Sequence, residues 1–190
     1  MSEGLGEKDG RPKPSLSRLY KIWAEGGTGL CVTGNVMVDR SALGEPGNVV
    51  IEDEGFLDSL RNWAEQASIN NTHCWVQLNH PGKQAPKGLN KENVAPSAIP
   101  FRKDMQTFFE TPRELKDTEI WEIIQRFGFA AGIVKKAGFS GVQIHGAHGY
   151  LVSQFLSPKH NQRTDAWGGS PEKRRKFVTE VYKAIREKVG

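Results

Sequence analysis

Two histidines and a tyrosine stand close together in the sequence, where a short apolar segment ends. His145 and His148 are three positions apart, and Tyr150 follows two positions after the second histidine. A pair of imidazoles can donate two hydrogen bonds to one oxygen atom, and a nearby phenol can supply a proton. These residue types at this spacing predict a site that polarises a carbonyl group or binds a phenolate.

Two other interpretations of the histidines stay open on the residues alone. A zinc site would need a third ligand of the histidine, cysteine or carboxylate type, and Asp165 is the nearest carboxylate further along the chain. A single histidine at a strand end can also be held by backbone groups without any chemical role. The tyrosine and the second histidine favour the oxygen-binding interpretation over this structural one.

Gln77 lies near the end of another apolar segment. A side-chain amide there can recognise a planar heterocycle, because it offers a donor and an acceptor side by side. The same amide can equally be satisfied by neighbouring backbone groups. The residues alone leave these two interpretations open.

The elements that must position these residues alternate between helices and strands. Apolar residues at helical spacing predict four helices, and apolar runs between them predict three strands. The predicted helices cover residues 16–23, 56–67, 117 or 118 to 138, and 170 onward, with Asp117 or Thr118 capping the third and Ser170 capping the fourth. The predicted strands cover residues 30–33, 74–78 and 141–145. This order predicts an α/β fold with parallel strands.

Two long connections follow predicted strands, at residues 79–116 and 146–169. Loops of this length in a compact domain are usually functional. In α/β folds, ligands bind at the carboxyl ends of the strands. Both connections are therefore expected on the active face of the protein.

The composition narrows the class of protein. The chain has 190 residues and a formal net charge of +4, and no segment approaches the roughly 20 apolar residues of a membrane helix. Its two cysteines cannot form a disulfide framework, and its polar N-terminus lacks the apolar core of a signal peptide. The basic cluster at 173–176 shares its segment with glutamates, which favours a solvated helix face over a nucleic-acid surface. We therefore expect one cytoplasmic domain that binds neither membranes nor nucleic acids.

Longer stretches of the sequence resemble one enzyme family. Residues 145–158, continuing through 161–165 to 167–170, closely resemble the signature region of the Old Yellow Enzyme family of FMN-dependent NAD(P)H oxidoreductases. Residues 33–39 and 76–84 resemble the second-strand and third-strand segments of that family. The matches cover nearly the whole chain in the family's order. The fold that this resemblance implies is a TIM-type (β/α)8 barrel.

The resemblance implies which residues contact the cofactor, FMN. Gln77 matches the glutamine that hydrogen-bonds the flavin pyrimidine ring, and Asn35 matches the position whose backbone approaches the flavin. Met1 and Ser2 resemble the end of the first strand, where a small polar residue tunes the flavin near its N5 and O4 atoms. His145 belongs to the cofactor-contacting set as well as to the substrate site.

The resemblance also implies the reaction. His145 and His148 match the pair that binds the activating oxygen of the substrate, and Tyr150 matches the tyrosine that protonates the substrate carbon. NAD(P)H would reduce the flavin, and the reduced flavin would then transfer hydride to an activated alkene, such as an α,β-unsaturated carbonyl compound. The expected partner is this small-molecule substrate.

Only part of such a barrel is matched. Residues 1–190 would form a partial FMN-binding barrel domain with strands 2 to 4, without most of strand 1 and without strands 5 to 8. Open sheet edges predict self-association, as do strand faces bearing Val32, Val76 and Val142 that would lose their opposing layer. The alternatives are a catalytically incompetent half-barrel and a metal-dependent barrel enzyme that uses His145 and His148.

Overall fold

The computed structural model describes residues 2–190 as an alternation of helices and strands. Met1, which the resemblance assigns with Ser2 to the end of a first strand, lies outside the described residues. The helices are α1 (Pro14–Glu25), α2 (Leu57–Ala67), α3 (Asp117–Ala137), α4 (Leu151–Leu156) and α5 (Pro171–Val189). The strands are β1 (Leu30–Met37), β2 (Val49–Val50), β3 (His73–Asn79), β4 (Val94–Ala95), β5 (Arg113–Glu114) and β6 (Gly141–Ile144).

Four strands form one parallel sheet in the order β2–β1–β3–β6. Helix α2 lies between β2 and β3 in the chain, and α3 precedes β6, as expected for α/β units. The register pairs Val36 with Leu78 and Leu78 with Ile144, so the carboxyl ends of β1, β3 and β6 lie side by side. The predicted parallel α/β architecture is confirmed.

The hydrophobic core lies between one face of this sheet and the helices. Side chains alternate along a strand, so Val76 of β3 is fully buried against the helices while Trp75 on the other face stays 38% exposed. The expectation that Val76 faces an absent opposing layer is therefore wrong, because this side chain is buried under the helices, whereas its register partner Val142 on the same face is only half-buried. Val32, whose register partner is Trp75, does lie on the open face.

The N-terminal cap predicted for α3 is wrong. The helix begins at Asp117 with Lys116 in the capping position, so neither Asp117 nor Thr118 caps it. The Glu119 carboxylate accepts the backbone N–H of Lys116 at 2.7 Å, while Asp117 accepts the indole N–H of Trp167 at 2.6 Å. A long-range partner thus takes the side chain that local rules assign to the cap.

Other boundaries follow the predictions with some extensions. Ser170 caps α5 by accepting the N–H of Lys173 at 3.3 Å. Strand β1 runs to Met37, four residues beyond its predicted end, and residues 2–5 form no strand. Helix α4 lies inside the predicted connection 146–169, since six residues are too few to show a helical period. Within residues 2–190, no helix combines the length and apolarity that crossing a bilayer requires.

Candidate active site

The carboxyl ends of three adjacent strands bring the predicted residues together. Asn35 of β1 is the register partner of Gln77 of β3, which is in turn the partner of Gln143 of β6. His145 directly follows β6, and its N–H donates to the carbonyl of Leu78 at 2.9 Å. The parallel sheet therefore gathers side chains that are up to 110 positions apart in the sequence onto one edge.

A tight turn then folds the rest of the site over His145. His148 adopts a left-handed backbone with φ 56°, and Gly149 follows with φ 77°. This turn places the His148 ring 5.3 Å and the Tyr150 ring 4.8 Å from the His145 ring, measured between centroids. The three predicted residues form one cluster, as the sequence indicates.

The hydrogen bonds of His145 determine which nitrogen carries its proton. Its Nδ1 accepts the backbone N–H of Ala147 at 3.3 Å, so a neutral ring carries hydrogen on Nε2. Burial lowers the pKa of His145 to about 4, so the ring is neutral at pH 7. The Nε2 atom is buried and has no partner within the described chain. His145 thus presents an unused donor to the site.

Tyr150 is suited to act as an acid. Burial, reinforced by the negative charge of Glu45, raises the pKa of Tyr150 above its ordinary value. Its phenol therefore stays protonated at neutral pH. Its ring meets the His145 ring edge-on, at an interplanar angle of 82°.

Gln77 provides a second unused hydrogen-bonding atom. Its Nε2 donates to Gln143 Oε1 at 2.6 Å, and its Oε1 is buried with no partner among residues 2–190. The side chain lies on the open face of the sheet beside Trp75. A buried acceptor without a partner is costly, so a ring N–H such as that of a flavin pyrimidine fits this position.

Ser2 and Asn35 are the two other residues that the resemblance assigns to the flavin. Ser2 is exposed, and its hydroxyl accepts the N–H of Gly4 at 3.3 Å, a local contact within the N-terminal segment. The side chain of Asn35 is buried and lies 3.5 Å from the Tyr150 hydroxyl, whereas only its backbone was predicted to have a role. No local pattern in the sequence predicts this contact between the Asn35 side chain and Tyr150.

Glu3 is a structural residue that the sequence analysis missed. Its carboxylate accepts the N–H of Gly34 at 2.8 Å and the hydroxyl of the buried Tyr20. A Cβ atom at Gly34 would collide with the Glu3 carboxylate, so a larger residue there would force the Glu3 side chain to shift. The backbone that leads into the site is thus held by a residue with no recognisable motif.

The metal-site alternative gains no further ligand. Among residues 2–190, no group of three or more histidine, cysteine, aspartate or glutamate side chains is arranged to hold a metal ion. Asp165, the carboxylate considered for this role, pairs with Arg163 at 2.6 Å and accepts the N–H of Trp167 at 2.9 Å. Its oxygens are therefore committed to holding the loop after α4.

Several known proteins are similar to this chain over nearly its whole length. The sequence model of the NADH:flavin oxidoreductase / NADH oxidase family matches residues 5–190, and the chain belongs to this family. The NADH-dependent flavin oxidoreductase iliE of Hypocrea jecorina is 38% identical over 206 residues, covering 100% of this chain and 51% of that protein. The NADPH dehydrogenase of Bacillus pumilus is 38% identical over 186 residues, covering 95% of this chain and 52% of that protein.

A solved structure agrees with these relatives. The Old Yellow Enzyme homologue of Zymomonas mobilis (NCR) superposes with a TM-score of 0.91 at 26% identity, over 100% of this chain and 55% of the other. The chain thus spans about half the length of the proteins it matches. The expected family and barrel fold are confirmed, and the family supports FMN and NAD(P)H as cofactors.

Proposed function

We propose that this chain forms the flavin-binding and substrate-binding part of an FMN-dependent NAD(P)H oxidoreductase that reduces activated alkenes. The observation that carries the proposal is the buried Nε2–H of His145, a donor that has no partner among residues 2–190 and lies beside the protonated phenol of Tyr150. A donor for a carbonyl oxygen and an acid for the adjacent carbon are the groups that reduction of an α,β-unsaturated carbonyl compound requires.

The cofactor contacts follow from the Gln77 amide, whose Oε1 atom has no partner among residues 2–190. FMN, when bound, accepts hydride from NAD(P)H and delivers it to the substrate carbon. Gln77 Oε1 accepts an N–H of the pyrimidine ring, while Gln143 holds the other end of the Gln77 amide at 2.6 Å. The backbone of Asn35 and the side chain of Ser2 are the further contacts that we assign to the flavin.

The substrate contacts follow from the histidine cluster. The carbonyl oxygen accepts hydrogen bonds from His145 and His148, which stabilise the negative charge that develops there as hydride arrives. Tyr150 gives its proton to the carbon next to the carbonyl, which completes addition of hydrogen across the double bond. Because His145 is neutral, it donates without competing with Tyr150 as an acid.

A half-barrel that acts only by association is the second candidate, and the free sheet edge favours it. Strand β6 ends the sheet, and a groove of about 510 Å³ lies between it and α5. Val142, Ile144 and the exposed ring of Tyr182 line this groove. We propose that residues 1–190 are one partial barrel domain whose β6 edge is covered by further strands of the barrel.

A chimera tests the proposed reaction. The second half of the Hypocrea jecorina relative, joined after Gly190, supplies the part of the barrel that this chain does not match. We expect the chimera to bind FMN and to oxidise NADH or NADPH with cyclohexenone as acceptor, while a Tyr150→Phe version retains FMN but loses alkene reduction. A flavin-loaded chimera that reduces oxygen but no alkene would favour a different acceptor and refute the proposed substrate class.

A further inference from the structure

A chain of three side chains connects the loop after β1 to the Tyr150 hydroxyl. It starts at Asn48, which is 3% exposed. The Asn48 Oδ1 atom accepts the backbone N–H groups of Gly44 at 3.0 Å and Glu45 at 2.9 Å. Because two donors meet this atom, it must be the oxygen of the amide, and the Asn48 NH2 group points the other way.

The orientation of the Asn48 amide determines that of the Asn35 amide. Asn48 Nδ2 donates to Asn35 Oδ1 at 3.3 Å, and Asn35 is 5% exposed. With its oxygen taken, Asn35 turns its own NH2 group to the Tyr150 hydroxyl, at 3.5 Å. Every amide in this relay therefore points in the same direction, from the Gly44–Glu45 backbone towards the phenol.

A bulge in β1 makes the last contact geometrically available. The register with β3 shifts between Val32 and Asn35. At this shift the Thr33 side chain, rather than the β1 backbone, bonds to β3. Its hydroxyl accepts the N–H of Gln77 at 2.9 Å and donates to the carbonyl of Gly34 at 2.7 Å. Bulges of this kind re-aim the following side chain, which here is Asn35.

We propose that Asn35 and Asn48 are positioning residues that orient the Tyr150 O–H group. A phenol has a single hydrogen, and an Asn35 N–H already meets its oxygen, so the hydroxyl hydrogen points away from Asn35. The ring of Tyr150 also borders the histidine cluster, since its centroid lies 4.8 Å from that of His145. The catalytic meaning of this orientation rests on the proposed function, whereas the orientation itself does not.

Asn48→Asp tests the relay without altering Tyr150 or its contact residue. A carboxylate at 48 still accepts the Gly44 and Glu45 N–H groups but cannot donate to Asn35. The Asn35 amide then turns over, donates to the carboxylate, and presents its oxygen to Tyr150, whose hydroxyl must now donate to it. The phenol is held in its neutral form, so the pKa of Tyr150 rises. The measurement is NMR of 13C-labelled tyrosine across pH in the 190-residue chain, with Tyr150→Phe identifying the resonance.

The matched control is Asn90→Asp. Asn90 anchors the same loop through Leu43, at 2.9 Å in both directions, but its amide does not lead to Tyr150. We expect Asn48→Asp to shift the Tyr150 titration upward by clearly more than Asn90→Asp does. Equal shifts in the two variants would mean that charge alone acts, and would overturn the proposal.

A second variant covers the case in which Asn48→Asp does not fold. Asn35→Ala removes the donor to Tyr150 without adding charge, and it should also raise the pKa of Tyr150, since the lost hydrogen bond favoured the phenolate. An unchanged titration in Asn35→Ala would contradict the relay. These readouts need neither FMN nor substrate, so they separate failure of the relay from failure of the proposed alkene reduction.

Discussion

The ring of Tyr150 stands edge-on to that of His145, with centroids 4.8 Å apart. His145 is held at the end of β6 by its N–H bond to the Leu78 carbonyl, and the turn through His148 and Gly149 brings Tyr150 to it. The proposed oxygen-binding donor and the proposed acid are therefore fixed relative to each other by one short segment. A substrate that meets one of them meets the other without any movement between domains.

The histidines are expected to control binding of phenols. In the flavin-loaded chimera, a bound phenolate should give a charge-transfer absorbance band. The double variant His145→Ala, His148→Ala should lose this band, whereas His148→Asn should largely retain it because an amide still donates. Normal phenol binding by the double variant would show that the oxygen site lies elsewhere.

Tyr150→Phe should separate the two halves of the reaction. The ring remains while the acid is removed, so the alkene half-reaction should slow by roughly 100-fold to 10,000-fold. Reduction of the flavin by NAD(P)H should stay near its original rate, since that step needs no proton from Tyr150. Stopped-flow absorbance follows each half-reaction, and equal slowing of both would assign Tyr150 a structural role instead.

His145 makes stability depend on pH. Burial lowers its pKa from 6.5 to about 4, so the unfolded chain binds more protons than the folded chain between these values. Its contribution to stability is present above pH 6.5 and is lost as the pH falls towards 4. Between pH 7 and pH 4.5, the urea midpoint of His145→Gln should therefore drop less than that of the wild type. Part of the drop that remains comes from His80, because burial also lowers its pKa to about 4. An identical drop in wild type and variant would refute this assignment.

Gly34 and Glu3 should be energetically coupled. Gly34→Ala places a methyl group against the Glu3 carboxylate and should cost about 1–3 kcal/mol of unfolding free energy. Glu3→Ala leaves the buried Tyr20 hydroxyl without its acceptor, at a similar cost of about 1–3 kcal/mol. The double variant should lose less than the sum, because Glu3→Ala removes the clash.

Urea unfolding measures each corner of this cycle. Gly29→Ala is the control, since a Cβ there would meet no atom within 4 Å and its φ is not in the left-handed region. Strict additivity of the Gly34 and Glu3 variants would contradict the contact between them.

The open β6 edge should make the isolated chain self-associate. Edge strands with free backbone groups and an apolar groove favour pairing with another chain. Tyr182→Lys puts charge into the groove and should move the protein towards the monomer in size-exclusion chromatography. Phe108→Lys is the matched control, because this exposed aromatic ring lies in a loop outside the groove. A monomeric wild-type chain would contradict the prediction.

Local patterns were sufficient to predict most helices and the strands that hold the site. Helical periodicity and Ser170 located α5, and the apolar run ending at Ile144 located β6. Family motifs then identified Gln77, His145 and Tyr150, which the sheet does bring to one edge.

The features that escaped prediction depend on contacts between distant segments. The Asn35 side chain is aimed by a bulge, and bulges arise from the pairing of two strands rather than from either strand alone. Asn48 gains its direction from loop amides that fold back on it. Asp117 fits the local rule for a helix cap, yet it instead accepts a hydrogen bond from Trp167, 50 positions away.

The left-handed backbone at position 148 restricts which side chains evolution can install there. Besides glycine, asparagine, aspartate and histidine adopt φ near 56° most readily, whereas branched or long side chains are strained. Glycine offers no side-chain donor, and a carboxylate would repel the oxyanion of the proposed reaction. Histidine and asparagine are the residues that satisfy both this backbone and the proposed chemistry. The narrow choice at this position is thus a property of the turn as much as of the reaction.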